Sequence, residues 1–288
     1  MSRRGQITRR AGQEHRQELA NLIKKAAYSH ATWQIWDDLM YMGAAALSQP
    51  LQWVQEREDE YMRRIGRYDK KTQDLFPQMF REIIEAYEQE GLVDVLGGMY
   101  MELELSNHWK GQFFTPDTVC RMIAEIQYVD TAERIEKQGY ITVNDPTCGG
   151  GAMLIAFANV CKEHDVNFQR DILFIGQDID PVVARMCYIS MSLLGMAGYV
   201  IVGNTLLMDT QNWDYWFTPM YFIHGFQWRR QRSISSDGCD VSNNEEPNDV
   251  QASMGGVPTA LEKTSKNLPK TADTPEYNET KMGQFSLF

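Results

Sequence analysis

The segment Asn144-Asp145-Pro146-Thr147-Cys148-Gly149-Gly150-Gly151 has the clearest capacity for ligand chemistry in this 288-residue chain. It follows the apolar run Ile141-Thr142-Val143 and opens a helical run from Ala152 to Cys161. Consecutive glycines let backbone approach a ligand closely, and a helix N-terminus offers unpaired N–H groups to an anionic one. Alone, such a turn serves any nucleotide or is merely tight. Two neighbours sharpen it. Gly176-Gln177-Asp178-Ile179-Asp180-Pro181 ends a second apolar run and places acids where doubly wound sheets hold ribose hydroxyls. Asp180, just before Pro181, suits a helix cap, which leaves Asp178 for a sugar. Gly203-Asn204-Thr205-Leu206 ends a third run, where the Asn204 amide suits an adenine edge or a simple turn.

The elements that must position these residues fall into three regimes. Residues 1–105 show apolar positions at helical spacing, as in Leu75, Met79, Ile83, Ile84 and Tyr87, and read as a helical region. Trp33, Trp36 and Trp53 are expected to pack inside it, and Arg3, Arg4, Arg9, Arg10 and Arg16 to form a solvated, frayed terminus. Residues 106–226 alternate short apolar runs with helical stretches, the pattern of a parallel sheet covered on both faces. Strands are expected at 141–144, 172–176 and 199–202, with Met220-Tyr221-Phe222-Ile223 as a fourth. Residues 227–283 are polar and are expected to form a disordered linker, followed by an isolated apolar cluster at 284–288.

A formal net charge of −11 argues against coating nucleic acid through bulk charge, yet permits a local basic cleft. The five cysteines form no Cys-x-x-Cys pair and the five histidines are scattered, so no metal site is expected and reduced thiols point to a cytoplasmic protein. No run reaches membrane-spanning length, and no export signal follows the first arginines.

Four motifs in this order, Gly111-Gln112-Phe113-Phe114-Thr115-Pro116, the Asp145–Gly151 turn, 176–181 and 203–206, resemble those of adenine-N6 DNA methyltransferases of the type I restriction-modification family, the modification subunit. The lead-in Asp94-Val95-Leu96-Gly97-Gly98-Met99-Tyr100 resembles the end of that family's helical N-terminal region. The resemblance implies a Rossmann-like α/β sheet, here truncated after about four strands, that binds S-adenosylmethionine (SAM). It implies that Phe114, Thr115 and Pro116 line the methionine side, and that the loop with Asp145, Thr147, Cys148, Gly149 and Gly151 cradles the amino-acid part. Asp178 would then bind the ribose, Ile179 pack on the adenine and Asn204 bond its edge. Gly150 stands where the family usually has serine.

In that family an Asn-Pro-Pro-Tyr/Phe motif accepts hydrogen bonds from the target amino group and stacks on the flipped base. This sequence has no Asn-Pro-Pro; the nearest segment is Thr218-Pro219-Met220-Tyr221, so Thr218, Pro219 and Tyr221 are the catalytic candidates. Losing such a transition-state contact costs about 3–4 kcal/mol. The expected function is therefore a SAM-dependent adenine-N6 DNA methyltransferase or a subunit of one. DNA is its substrate, and a specificity subunit or self-association covers an open sheet edge. A catalytically silent SAM-binding adaptor is the alternative, and a nucleotide-binding oxidoreductase is remote without Gly-x-Gly-x-x-Gly. Gln284-Phe285-Ser286-Leu287-Phe288 resembles the bacterial sliding-clamp binding pentapeptide, with Gln284 at the pocket rim and Leu287 and Phe288 inside it.

Overall fold

The structure is a computed structural model that describes residues 3–105, 115–207 and 213–229. Six helices come first: α1 (Arg3–Ala26), α2 (Thr32–Ser48), α3 (Gln55–Ile65), α4 (Lys70–Gln73), α5 (Leu75–Glu90) and α6 (Val95–Glu102). After α7 (Asp117–Gln127) and α8 (Thr131–Gln138) the chain alternates β1 (Ile141–Asp145), α9 (Ala152–Glu163), α10 (Phe168–Asp171), β2 (Ile172–Asp178), α11 (Pro181–Leu193) and β3 (Gly198–Val202). It closes with β4 (Asp214–Phe217) and α12 (Pro219–Ile223). This is a mixed α/β architecture with a helical N-terminal region and a four-stranded sheet, in the order β1-β2-β3-β4.

β1, β2 and β3 are parallel, with Ile141 opposite Ile172 and Phe174 opposite Gly198. α9 and α11 lie on the same side of the sheet, as crossovers of one hand that advance in one direction require. The two faces therefore differ in what covers them, and both are covered, as the sequence suggests. One face carries Ile141, Val143, Ile172, Phe174, Val200 and Trp216 into a core shared with α1, α2, α5, α9 and α11. The other carries Leu173, Ile175, Tyr199, Ile201 and Tyr215, covered by Phe226, Met220 and Tyr221. The helical region and the sheet thus share a single core, and Tyr87 on α5 bonds Ser190 on α11 at 2.6 Å.

The fourth strand is Asp214–Phe217, not 220–223, and it runs antiparallel to β3. Pro219 lacks the N–H a ladder needs but fits the first turn of a helix, so Met220–Ile223 becomes helical. The outer edge of β4 is held by the α2–α3 turn. Gln52 donates to the Tyr215 carbonyl (3.3 Å) and accepts from the Phe217 N–H (3.4 Å). Arg57 donates to the Tyr215 carbonyl (2.6 Å) and to Asp214 (2.8 Å) while stacking 3.7 Å above Trp216. At the other edge β1 has no strand neighbour among the described residues, yet Ile141, Thr142 and Val143 are buried and α8 packs against the strand. Side chains and a helix of this chain thus tend both edges, and the expected exposed edge does not occur among the described residues.

Arg16 is not part of a frayed terminus: it sits within α1 and grips Glu90 with two hydrogen bonds of 2.6 and 2.7 Å. Trp36 is buried as expected, whereas Trp33 and Trp53 are 65% and 54% exposed. Cys120, Cys148, Cys161 and Cys187 are free thiols, and no described helix is long and apolar enough to cross a membrane.

Candidate functional site at the strand tips

β2 runs two residues past the end of β1 and β3 ends level with β2, with Asp145 opposite Gly176 and Asp178 opposite Val202. The loops leaving these tips are tied together by their backbones. The Cys148 N–H donates to the Gln177 carbonyl at 2.8 Å, and the Gly203 N–H donates to the Asp178 carbonyl at 2.9 Å. The Thr205 hydroxyl crosses to the Pro146 carbonyl at 2.6 Å. Three strand ends therefore form one rim.

Asp178 is the hub of that rim. One carboxylate oxygen accepts the Gly149 N–H (2.9 Å) from the glycine loop and the other accepts the Asp180 N–H (2.9 Å). Asp180 caps α11 through the Val182 N–H (2.9 Å), which separates the capping acid from the hub acid as the sequence suggests. Asp145 accepts the Thr147 N–H at 3.1 Å. Burial raises its carboxyl above the usual range, and the nearby Asp178 charge adds to the rise. Asn204 turns its side-chain oxygen onto the Leu206 N–H at 2.9 Å.

The glycine loop has its shape for steric reasons. Gly149 and Gly151 take φ of 51° and 96°, the left-handed region that side chains resist. A Cβ on Gly151 would stand 2.9 Å from the Cys187 sulfur, so the loop lies directly on α11. Cys148 is buried beneath it, and a hydrogen bond with Cys187 together with burial holds its thiol well above the ordinary value.

Ile179 is different in character. It is a large apolar side chain left 66% exposed at the β2 tip, beside the Asp178 carboxylate. Thr115 and Pro116 are exposed at the start of α7, whose other end of the first turn, Cys120, is buried. α7 packs on α9, and Cys120 lies within electrostatic reach of Asp145, which joins α7 to the same end of the sheet. Phe114 lies outside the described residues, as do Gln284, Leu287 and Phe288.

Thr218, Pro219 and Tyr221 do not join this group. Because β4 is antiparallel, Phe217 faces Tyr199 and Thr218 faces the start of β3, opposite Gly198. The rim lies four residues further along β3, about 13 Å away at strand spacing. Thr218 is fully buried; its hydroxyl donates to the Met196 carbonyl (2.8 Å) and accepts the Gly198 N–H (3.0 Å). Tyr221 packs among Tyr199, Phe217 and Phe226, and burial pushes its phenol up to about 12. This segment locks the end of the sheet. The sequence suggests it by its proline, its aromatic ring and its distance beyond Asn204, and the register places it at the other end of β3.

Sequence reasoning did not single out Thr205 or Gln177, which link the tips. Gln177 is buried and reaches the Gly203 carbonyl at 3.3 Å. A buried amide at the end of an apolar strand is the signal that would have found it.

Residues 91–223 match the family model described as N-6 DNA Methylase. Among solved structures, the chain is similar to a protein of Listeria monocytogenes provisionally named a class I S-adenosylmethionine-dependent methyltransferase, at 14% identity and a TM-score of 0.41 over 76% of this chain and 70% of that one. It is also similar to the type I restriction-modification system methyltransferase subunit of Streptococcus thermophilus, at 19% identity and a TM-score of 0.30 over 60% of this chain. The match spans 40% of the Streptococcus chain. No curated protein matches.

Proposed function

We propose that this chain, whose residues 91–223 match the N-6 DNA methylase family model, is the cofactor-binding part of an adenine-N6 DNA methyltransferase and takes SAM at the tips of β1, β2 and β3. The observation that carries this reading is Asp178, held by N–H groups of two different loops with exposed Ile179 beside it. The residues suit the cofactor. A carboxylate accepts at more sites than two N–H donors fill, which leaves capacity for ribose hydroxyls. Ile179 offers an apolar surface to the face of an adenine. The glycine loop brings backbone, not side chains, to the amino-acid part, and Asp145 supplies a carboxylate for its ammonium group. Thr115 and Pro116, with Phe114, would close the methionine side. Bound SAM supplies the electrophilic methyl group; the chain's task is to orient it and keep water from it.

The second half of the chemistry is an acceptor for the adenine amino protons and a ring to stack on the extruded base. This reading gives Thr218 no part in the step, because it is fully buried at the far end of the sheet, about 13 Å from the rim at strand spacing. These 288 residues hold no Asn-Pro-Pro, so methyl transfer is proposed to require a second polypeptide, a specificity subunit or another copy, that brings these groups to the rim. A SAM-binding adaptor without catalysis is the second reading, and the geometry of Thr218 is what favours it.

Tritium transfer from labelled SAM to plasmid DNA, run beside calorimetric SAM binding, tests the proposal. Binding without transfer by the chain alone, and transfer on adding the partner, is the expected result. Lack of SAM binding sinks it. Attachment of Gln284, Leu287 and Phe288 to a bacterial sliding clamp stays a separate proposal. Pull-down with purified clamp tests it, and equal recovery of the full chain and a Leu287→Ala, Phe288→Ala variant removes it.

A further inference from the structure

The turn between α1 and α2 leaves two large rings in water: Tyr28 is 96% exposed and Trp33 is 65% exposed. Lys24 and Lys25, in the last turn of α1, are exposed beside them. The opposite turn, between α3 and α4, meets this corner through His30, whose ring packs edge-on against Tyr68 at 4.7 Å. It adds exposed Lys71, whereas Arg67 and Lys70 beside it are paired with acids. The acids nearby are engaged. Asp69 caps α4 through the Thr72 N–H at 2.8 Å, Lys70 pairs with Asp74 at 3.1 Å, and buried Asp38 holds Arg64 and Arg67 at 2.7 and 3.4 Å.

A helix C-terminus by itself accounts for the two lysines. It does not account for a tyrosine and a tryptophan left unburied beside them on a protein with a shared core a few residues away. In a chain of net charge −11, a polyanion can approach only where cations are gathered locally. The corner also lies at the right end of the molecule. Asp37, one turn after Trp33, faces Arg185 at 3.6 Å, and Arg185 is little more than a turn from Asp180 at the β2 tip.

We infer that the α1–α2 corner is a DNA contact: Lys24 and Lys25 take phosphates, and Tyr28 and Trp33 stack on bases, so that the strand runs across the end of the molecule that carries the rim. The inference rests on the methyltransferase reading for the identity of the polyanion; the cation-and-ring chemistry itself fits single-stranded or opened DNA better than a closed duplex.

Fluorescence anisotropy of the full chain with labelled single-stranded and duplex oligonucleotides, over a salt series, tests it. For Lys24→Glu, Lys25→Glu the slope of log affinity against log salt should shrink by roughly two phosphate contacts. For Tyr28→Ala, Trp33→Ala the affinity for single strands should fall about ten- to a hundredfold with little change in slope. Both variants should keep the wild-type thermal midpoint and calorimetric SAM affinity, because none of the four residues touches the rim. Wild-type affinity and slope in both variants overturn the inference, as does a wild-type chain that binds SAM but no DNA. Loss of SAM binding in the wild-type chain is a failure of the cofactor reading, and the calorimetry reports it separately.

Discussion

The two ends of β3 use the same device for opposite purposes. At its start, Thr218 offers an oxygen to the Gly198 N–H and is wholly buried. Beside its finish, on β2, Asp178 offers oxygens to the Gly149 and Asp180 N–H groups yet remains partly open to solvent. A wholly buried hydroxyl that donates to one backbone group and accepts from another is a lock. A carboxylate at a rim of loops keeps acceptor capacity for further donors. Residue type alone does not separate them; position along an oriented strand does.

Three substitutions put pressure on that contrast. Gly151→Val should have the largest effect, since it combines left-handed backbone with a Cβ pressed against Cys187. A loss of about 3–5 kcal/mol is expected by denaturant unfolding, with SAM binding abolished. Thr218→Val should cost about 1–3 kcal/mol, because the buried Gly198 N–H loses its partner, while calorimetric SAM affinity stays at the wild-type value. A large drop in SAM affinity for that variant would merge the two ends and break the contrast.

The third substitution concerns Asp94, which caps α6 through the Gly97 N–H at 2.8 Å. Burial lifts its carboxyl to about 6, against that hydrogen bond and the Arg16 charge. A carboxyl raised on folding holds its proton more tightly in the native state, so its contribution to stability is greatest below the unfolded value near 4 and declines as pH rises toward 6. Asp94→Asn keeps a capping oxygen without the titration. Across pH 4 to 6 its unfolding free energy should therefore fall less than wild type's, by about 1–3 kcal/mol. Parallel pH profiles would contradict this.

Much of the rim was legible beforehand because its signals are local. Continuous apolar runs ending in Gly or Asp mark the parallel strands, and Asp180-Pro181 marks the start of α11 with the cap the structure shows. What escaped depends on relations between distant segments. Tyr215-Trp216-Phe217 and Tyr221-Phe222-Ile223 look equally strand-like; Pro219 decides between them once a ladder has to form. The one-sided placement of α9 and α11 follows from crossover handedness, which no single window contains. Nor does helical spacing reveal that Trp33 stays outside the packed stripe while Trp36, three positions on, lies within it.

Calorimetric titration of SAM into the wild-type chain and into Asp178→Ala, both confirmed folded by their thermal midpoints, tests the central claim most directly. The account predicts saturable binding to the wild type and a loss of about a hundredfold or more in the variant, the scale of two charge-assisted hydrogen bonds. Equal affinity in the two proteins would contradict it.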